Sequence, residues 1–327
     1  MRVLVTGASG LLGSCLVRRL CGSGYQVRAV IREPGRSSLV PREAETIVAD
    51  VRYPVPAELA SGCGAIVHLA AKVHAMEDSG QEKDYEVVNI EGTRHILDAA
   101  VRSGVPRMVF ASSVKVFGEE TSGCIDEARP PDPQTPYGQS KWQAEQLISD
   151  YATRHRFTAV SLRLPMVYGP TMRGNLYRMI EAIDHGRFPP LPRLSTVRSL
   201  LHVENFVHAV SLCLQVSCFR RSAYIVADAD PYCVTDLYEW LRAGLGKTPA
   251  RWRVPLWVLK GGARLGDLLQ VFSGRHTPLT TNQLTKLIGS AWFSAGSITH
   301  ELGYQAAHSF KETVPELIAF YRQSIRV

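Results

Sequence analysis

The run Arg2-Val3-Leu4-Val5-Thr6 leads directly into Gly7-Ala8-Ser9-Gly10-Leu11-Leu12-Gly13, and no other feature constrains the fold of this chain as strongly. A β-branched run followed by a glycine loop and then by apolar residues at three- and four-residue spacing predicts strand, tight turn and helix, the helix over Leu11–Cys21. Without a Cβ, Gly7 can make the turn, Gly10 can let the backbone approach a diphosphate, and Gly13 can let the helix sit close to the strand. The helix N-terminus offers N–H groups and a positive dipole end to phosphates. Gly7, Ser9, Gly10, Leu11, Leu12 and Gly13 are therefore expected to hold a dinucleotide.

Short β-branched runs recur at Gln26–Ile31, Glu45–Ala49, Ala65–His68, Met108–Ala111 and Thr158–Leu164, with helical spacing over Tyr85–Val101 and Tyr137–His155. Strands alternating with helices predict an α/β fold, a doubly wound parallel sheet that binds ligands at the carboxyl ends of its strands. Prolines at 165, 170, 189, 190 and 192 mark a change of texture. Residues 1–165 are expected to form the dinucleotide-binding domain, with returning sheet elements at about 195–226. Residues 166–194 and 227–327 are expected to form a smaller substrate lobe. Trp257–Leu269, with Leu259, Leu265, Leu268 and Leu269, is expected to be a helix covering the substrate cleft or lining a lobe interface, with membrane contact as the alternative.

With 45% hydrophobic and 20% charged residues among 327, the chain is an ordinary globular mixture. The net charge of +7 comes without any run of five like charges, which suits an anionic small molecule and speaks against a nucleic-acid-binding tail. Seven cysteines without a CxxC pair suggest free thiols in a reducing cytoplasm and no zinc site. No apolar run approaches the ~18 residues of a membrane span, so no stable membrane insertion is expected. The N-terminus runs straight into a strand, which is not the pattern of a signal peptide.

The second strand ends at Val30-Ile31-Arg32, about 20 residues past the loop, where an NAD binder usually carries an acid for the ribose 2′-hydroxyl. Arg32, with Arg36, suits a 2′-phosphate instead, so NADP(H) is favoured over NAD(H). Asp50-Val51 is placed to meet the adenine, and Leu69-Ala70-Ala71 offers small side chains beside the dinucleotide. Tyr137 and Lys141 stand four residues apart, hence on one helix face. An ammonium beside a phenol favours the phenolate, so this pair can move a proton near neutral pH. Ser113, after the Val109-Phe110 strand, is placed to hydrogen-bond the reacting oxygen.

Together the chain resembles the extended short-chain dehydrogenase/reductases of the NAD-dependent epimerase/dehydratase family. The likeness rests on the glycine loop, Asp50-Val51, His68-Leu69-Ala70-Ala71, Asn89 in Val88-Asn89-Ile90-Glu91-Gly92-Thr93, Ser112-Ser113 and Tyr137…Lys141. It continues through Leu162-Arg163-Leu164-Pro165…Tyr168-Gly169-Pro170 and Arg198-Ser199-Leu200-Leu201-His202-Val203 to Glu301-Leu302-Gly303-Tyr304. The resemblance implies catalytic Ser113, Tyr137 and Lys141, with Asn89, Pro165 and Val167 joining the cofactor residues. It implies that Asn175 and Arg198 contact the diphosphate of a nucleotide sugar, with His74 and Lys115 near the sugar, and that subunits pair as a homodimer through Tyr85–Val101 and Tyr137–His155.

Sugar dehydratases of this family carry an Asp-Glu pair where this chain has Val114-Lys115, which leaves hydride and proton exchange at a single carbon. A 4-ketoreductase and a 4-epimerase both meet that requirement. The stretch Ser113-Val114-Lys115-Val116, with Asp132–Tyr137 and Ser140-Lys141-Trp142, is similar to bacterial reductases of UDP-4-keto-6-deoxy-N-acetylhexosamines in O-antigen synthesis, although Phe117-Gly118 stands where these often have Asn-Gly. The expectation is thus a 4-ketoreductase, with a UDP-hexose or UDP-N-acetylhexosamine 4-epimerase holding NAD as the alternative.

Overall fold

The computed structural model describes residues 1–73, 82–171, 174–250, 252–273 and 280–325. Seven parallel strands form the main sheet: β1 (Arg2–Thr6), β2 (Gln26–Ile31), β3 (Glu45–Val48), β4 (Ala65–His68), β5 (Arg107–Ser113), β6 (Thr158–Leu164) and β7 (Ala223–Ile225). Their spatial order is β7-β6-β5-β4-β1-β2-β3, so the chain reverses direction between β1 and β4 and opens a crevice there. The register sets Thr6 beside His68, and Ser113 beside Leu164, along one carboxyl edge.

Side-chain alternation explains why both faces are covered. Val3 and Val5 pack into one core with Leu16, Val17 and Leu20 of α1 (Leu11–Gly22), whereas Leu4 enters the opposite core with Ile96 and Leu97 of α2 (Gly92–Arg102) and Ala144 and Ile148 of α3 (Pro136–His155). Each fully buried Leu contributes roughly 1.5–3 kcal/mol. A separate core gathers α4 (Asn175–Asp184), α6 (Val234–Gly244), α7 (Leu256–Ser273), α8 (Thr281–Ile288) and α9 (Phe310–Ser324).

Two expectations need correction. Of the sheet elements expected over about 195–226, Ala223–Ile225 joins the main sheet as β7, whereas Val197–Arg198 and Leu200–His202 are extended only in two-stranded pairings outside it. Val203–Gln215 is a helix, α5, because Phe206, Val207, Val210 and Leu214 recur at helical spacing and bury against the sheet. The helix expected over Tyr85–Val101 is interrupted: a short turn, Glu82–Tyr85, passes through a π-helical stretch, Glu86–Glu91, before α2. The helix expected at Trp257–Leu269 is present as α7, yet Leu265, Leu268 and Leu269 are exposed and only Leu259 of the four is buried.

Candidate active site

The glycine loop is shaped by backbone contact. Gly7 has φ +66°, and a Cβ there would lie 2.8 Å from the Ala70 nitrogen. A Cβ on Gly13 would lie 2.2 Å from the Gly7 carbonyl oxygen, so only glycine lets α1 start this close to β1. Gly10 is the exposed N-cap of α1, with no side-chain cap and no acid in the first turn, and Ser9, Leu11 and Leu12 surround it half-buried. The uncapped N–H groups and the two cradled glycines fit a diphosphate.

Thr6 ties the loop to the next strand of the crevice. Its Oγ1 accepts from the Leu69 and Ala70 N–H groups, both at 3.2 Å, leaving its own proton for His68 Nδ1 at 2.7 Å. His68 therefore carries its proton on Nε2 and donates to Thr93 Oγ1 at 3.1 Å, and Thr93 donates to the Asn89 carbonyl. Burial, helped by the nearby positive charge of Lys141, pulls the His68 pKa down to about 3. This neutral relay fixes Leu69, Ala70 and Ala71, all half-buried, along the crevice.

The residues expected to be catalytic meet where β5 ends. Thr135 caps α3 by accepting from the Gly138 N–H, and Pro136 starts the helix. A Cβ on Gly138 would lie 2.5 Å from the Lys115 carbonyl oxygen, so this glycine lets α3 press against the turn that follows Ser113. Ser113 Oγ accepts from the Lys115 N–H at 3.2 Å and lies close enough to the Tyr137 phenol to favour its ionised form. Lys141, 3% exposed, donates to the Ala111 carbonyl at 2.7 Å and lies 4.5 Å from the Phe110 ring centroid.

Burial raises the Tyr137 pKa to about 12, Ser113 opposes the shift, and Tyr85, with its ring centroid 5.9 Å away, adds to it. That corrects the expectation that Lys141 would favour the phenolate. The lysine is itself desolvated, its pKa lowered to about 7 against the pull of Glu145, and its ammonium is committed to Ala111. The group favouring the phenolate here is Ser113.

Other expected residues take different places. Asn89 is buried, and its side chain is engaged within the chain: its amide oxygen accepts from the Lys72 N–H at 2.8 Å, and its nitrogen donates to the Lys72 carbonyl and to Ser140 Oγ. It braces α3 against the segment after β4, within the π-helical stretch, a geometry common at functional sites. Asp50 is held by Arg52, and Val51 is buried under α2 with its carbonyl bonded to His95. Arg32 pairs with Glu33 at 2.7 Å and Arg36 pairs with the same carboxylate at 3.3 Å, so an acid does stand at the end of β2. Pro165 is buried and Val167 half-buried just beyond β6.

Asn175 is exposed at the start of α4, whereas Arg198 is half-buried on its short strand, where Glu120 and Glu119 offset the burial that lowers its pKa. Lys115 pairs with Glu119 at 2.7 Å. His74 lies outside the described residues.

Several contributors escaped the sequence. Tyr85 stands one helical turn before Asn89, a spacing that points both toward α3. Glu145 follows Lys141 by four residues and so continues the Tyr137–Lys141 stripe; Ser112 donates to it and Arg163 pairs with it at 2.7 Å in a buried ion pair. Glu33 was adjacent to Arg32 and legible as its partner.

Comparison with known proteins agrees with this geometry. A model of the NAD dependent epimerase/dehydratase family matches residues 3–224. UDP-glucose 4-epimerase of Vibrio cholerae is 30% identical over 267 residues, 79% of this chain and 80% of that protein. An N-acetyl-alpha-D-glucosaminyl-diphospho-ditrans,octacis-undecaprenol 4-epimerase of Escherichia coli O157:H7 is 25% identical over 322 residues, 97% of this chain and 94% of its own length. The solved structure of MoeE5 in complex with UDP-glucuronic acid and NAD is 26% identical, with a TM-score of 0.78 over 99% of this chain and 100% of that one. With its Rossmann-type sheet and its glycine loop, this chain belongs to the NAD-dependent epimerase/dehydratase family.

Proposed function

We propose that the protein is a 4-epimerase of a sugar joined through a diphosphate to its carrier, with NAD held through turnover. The observation that carries this reading is the grouping of Ser113, at the carboxyl edge, with the buried Tyr137 phenol and with Lys141 one turn on, together with Val114-Lys115 in place of the carboxylates an elimination would need. The nicotinamide supplies reversible hydride transfer when bound. Ser113 holds the sugar O4, and Tyr137, as the phenolate that Ser113 favours, takes the O4 proton as C4 gives up its hydride. After the ketone turns over, the hydride returns to the opposite face of C4 and Tyr137 gives the proton back to O4. Lys141, anchored by Ala111, is placed to hold the nicotinamide ribose, and Gly7, Gly10 and Gly13 with the α1 N-terminus hold the diphosphate. Arg198 and Asn175 bind the substrate diphosphate, with the sugar in the lobe of residues 166–194 and 227–327.

The names of the relatives support epimerisation over net reduction, and NAD over NADP(H). Both arginines expected to meet a 2′-phosphate pair with Glu33, so the NADP(H) preference is set aside in this reading. A second reading, the 4-ketoreductase, draws on the Ser113-Val114-Lys115-Val116 stretch. Seven free cysteines support a reducing, cytoplasmic setting, and a homodimer through α2 and α3 is tested by light scattering.

The deciding experiment supplies purified protein with UDP-glucose, UDP-N-acetylglucosamine or polyprenyl-diphosphate N-acetylglucosamine and no added nicotinamide. Interconversion at C4 with one of these, together with NAD released on acid denaturation, supports the epimerase. No conversion, but NADPH consumption with a UDP-4-keto-6-deoxy sugar, identifies the reductase instead.

A further inference from the structure

Helix α7 turns an apolar face to solvent. Trp257, Leu265 and Leu268 are 76%, 57% and 52% exposed, and Trp252, just before the helix, is 66% exposed. At 3.6 residues per turn the three helix residues fall within roughly 80° of one another. On the opposite side Leu259 and Ala263 are buried in the core that also holds Leu176 and Ile180 of α4. The helix is therefore apolar on two sides, and its own fold uses only one. Lys260 and Arg264, both exposed, border the outer face, and among the described residues neither forms an ion pair. Asp267, the one acid of the helix, accepts from the Thr281 N–H at 3.0 Å and so caps the next helix.

We infer that the outer face of α7 docks on an anionic lipid bilayer. Tryptophan and leucine beside a basic border are the combination that settles into the headgroup–acyl boundary: the rings and chains leave water while the cations meet lipid phosphates. Among the described residues no helix is long and apolar enough to cross a membrane, so α7 lies on the surface. The charge sign selects the occupant. A second copy stacked on the same face would bring two sets of Lys260 and Arg264 into one interface, where the helix's one acid, Asp267, is already bonded to Thr281, whereas an anionic surface complements them and the net charge of +7. Docking places the α4 lobe against the bilayer, where a sugar diphosphate carried on a lipid presents its polar end; this last consequence rests on the proposed function, while the docking itself does not.

The test is co-sedimentation of the full-length protein with phosphatidylcholine vesicles, with and without phosphatidylglycerol. The protein is expected to pellet with the anionic vesicles at low salt and to be released at high salt. The triple substitution Trp257→Ser, Leu265→Ser, Leu268→Ser is expected to weaken that binding at least about tenfold. Because these side chains face outward, the variant keeps its melting temperature and its turnover of a water-soluble substrate. Wild-type protein that stays in the supernatant with both vesicles overturns the proposal, as does a variant that pellets equally well. So does a concentration-dependent dimer that the triple substitution abolishes in the absence of any lipid binding. Loss of epimerase activity on every substrate with intact vesicle binding would instead fault the proposed function alone.

Discussion

The carboxyl edge of the sheet and the outer face of α7 are both built from small and apolar residues, yet they meet opposite surroundings. At the edge, a Cβ on Gly7, Gly13 or Gly138 would strike backbone within 3 Å. On α7, a Cβ on Gly261 meets nothing within 4 Å, and the neighbouring Trp257 stands in water. The edge is shaped by contacts inside the chain. Among the described residues, the outer α7 side chains Trp257, Leu265 and Leu268 belong to none of the hydrophobic cores.

The contrast can be broken most forcefully at the buried ion pair behind the edge. Glu145→Ala leaves Arg163 buried without its carboxylate and is expected to destabilise the protein by about 3–5 kcal/mol, read as the shift in denaturant unfolding. An unchanged midpoint would mean that the edge is held by something else. Next in size, Tyr137→Phe is expected to lower turnover at least ~100-fold with bound NAD content unchanged, measured by product formation and cofactor release.

A pH series sharpens the picture of a desolvated edge. The Lys141 pKa is lowered from 10.5 to about 7, so between those values the unfolded chain holds the extra proton and stability rises with pH. The His68 pKa is lowered from 6.5 to about 3, so stability falls as pH drops from 6.5 toward 3. Lys141→Met is expected to flatten the alkaline slope while leaving the acid slope in place, checked by unfolding midpoints across pH. The smallest effect belongs to α7: Gly261→Ala has open space and is expected to stabilise by up to about 1 kcal/mol.

The same contrast explains what the sequence could and could not reveal. β1, β2, β4 and β6 match their β-branched runs, because parallel strands covered on both faces must be continuously apolar. Gly7 and Gly13 were legible because local backbone crowding dictates them. The direction of the Tyr137 shift was not, since it comes first from burial of the phenol, which tertiary packing decides and no side-chain motif records. Asn89 was named by the resemblance alone, and its amide bonds to Lys72 and Ser140 join segments far apart in sequence, which no local pattern records. The helix α5 hid behind its Val- and Leu-rich composition, which suits strand and helix alike. The exposure of α7 follows from which of two apolar sides reaches the core, a choice made by tertiary packing alone.

The most direct check on hydride and proton exchange at a single carbon uses a diphosphate-linked sugar carrying deuterium at C4. The purified protein, given no external cofactor, is expected to yield the C4 epimer with the deuterium retained at that carbon. An epimer that has exchanged its label with water would contradict the account, and so would the absence of any epimer.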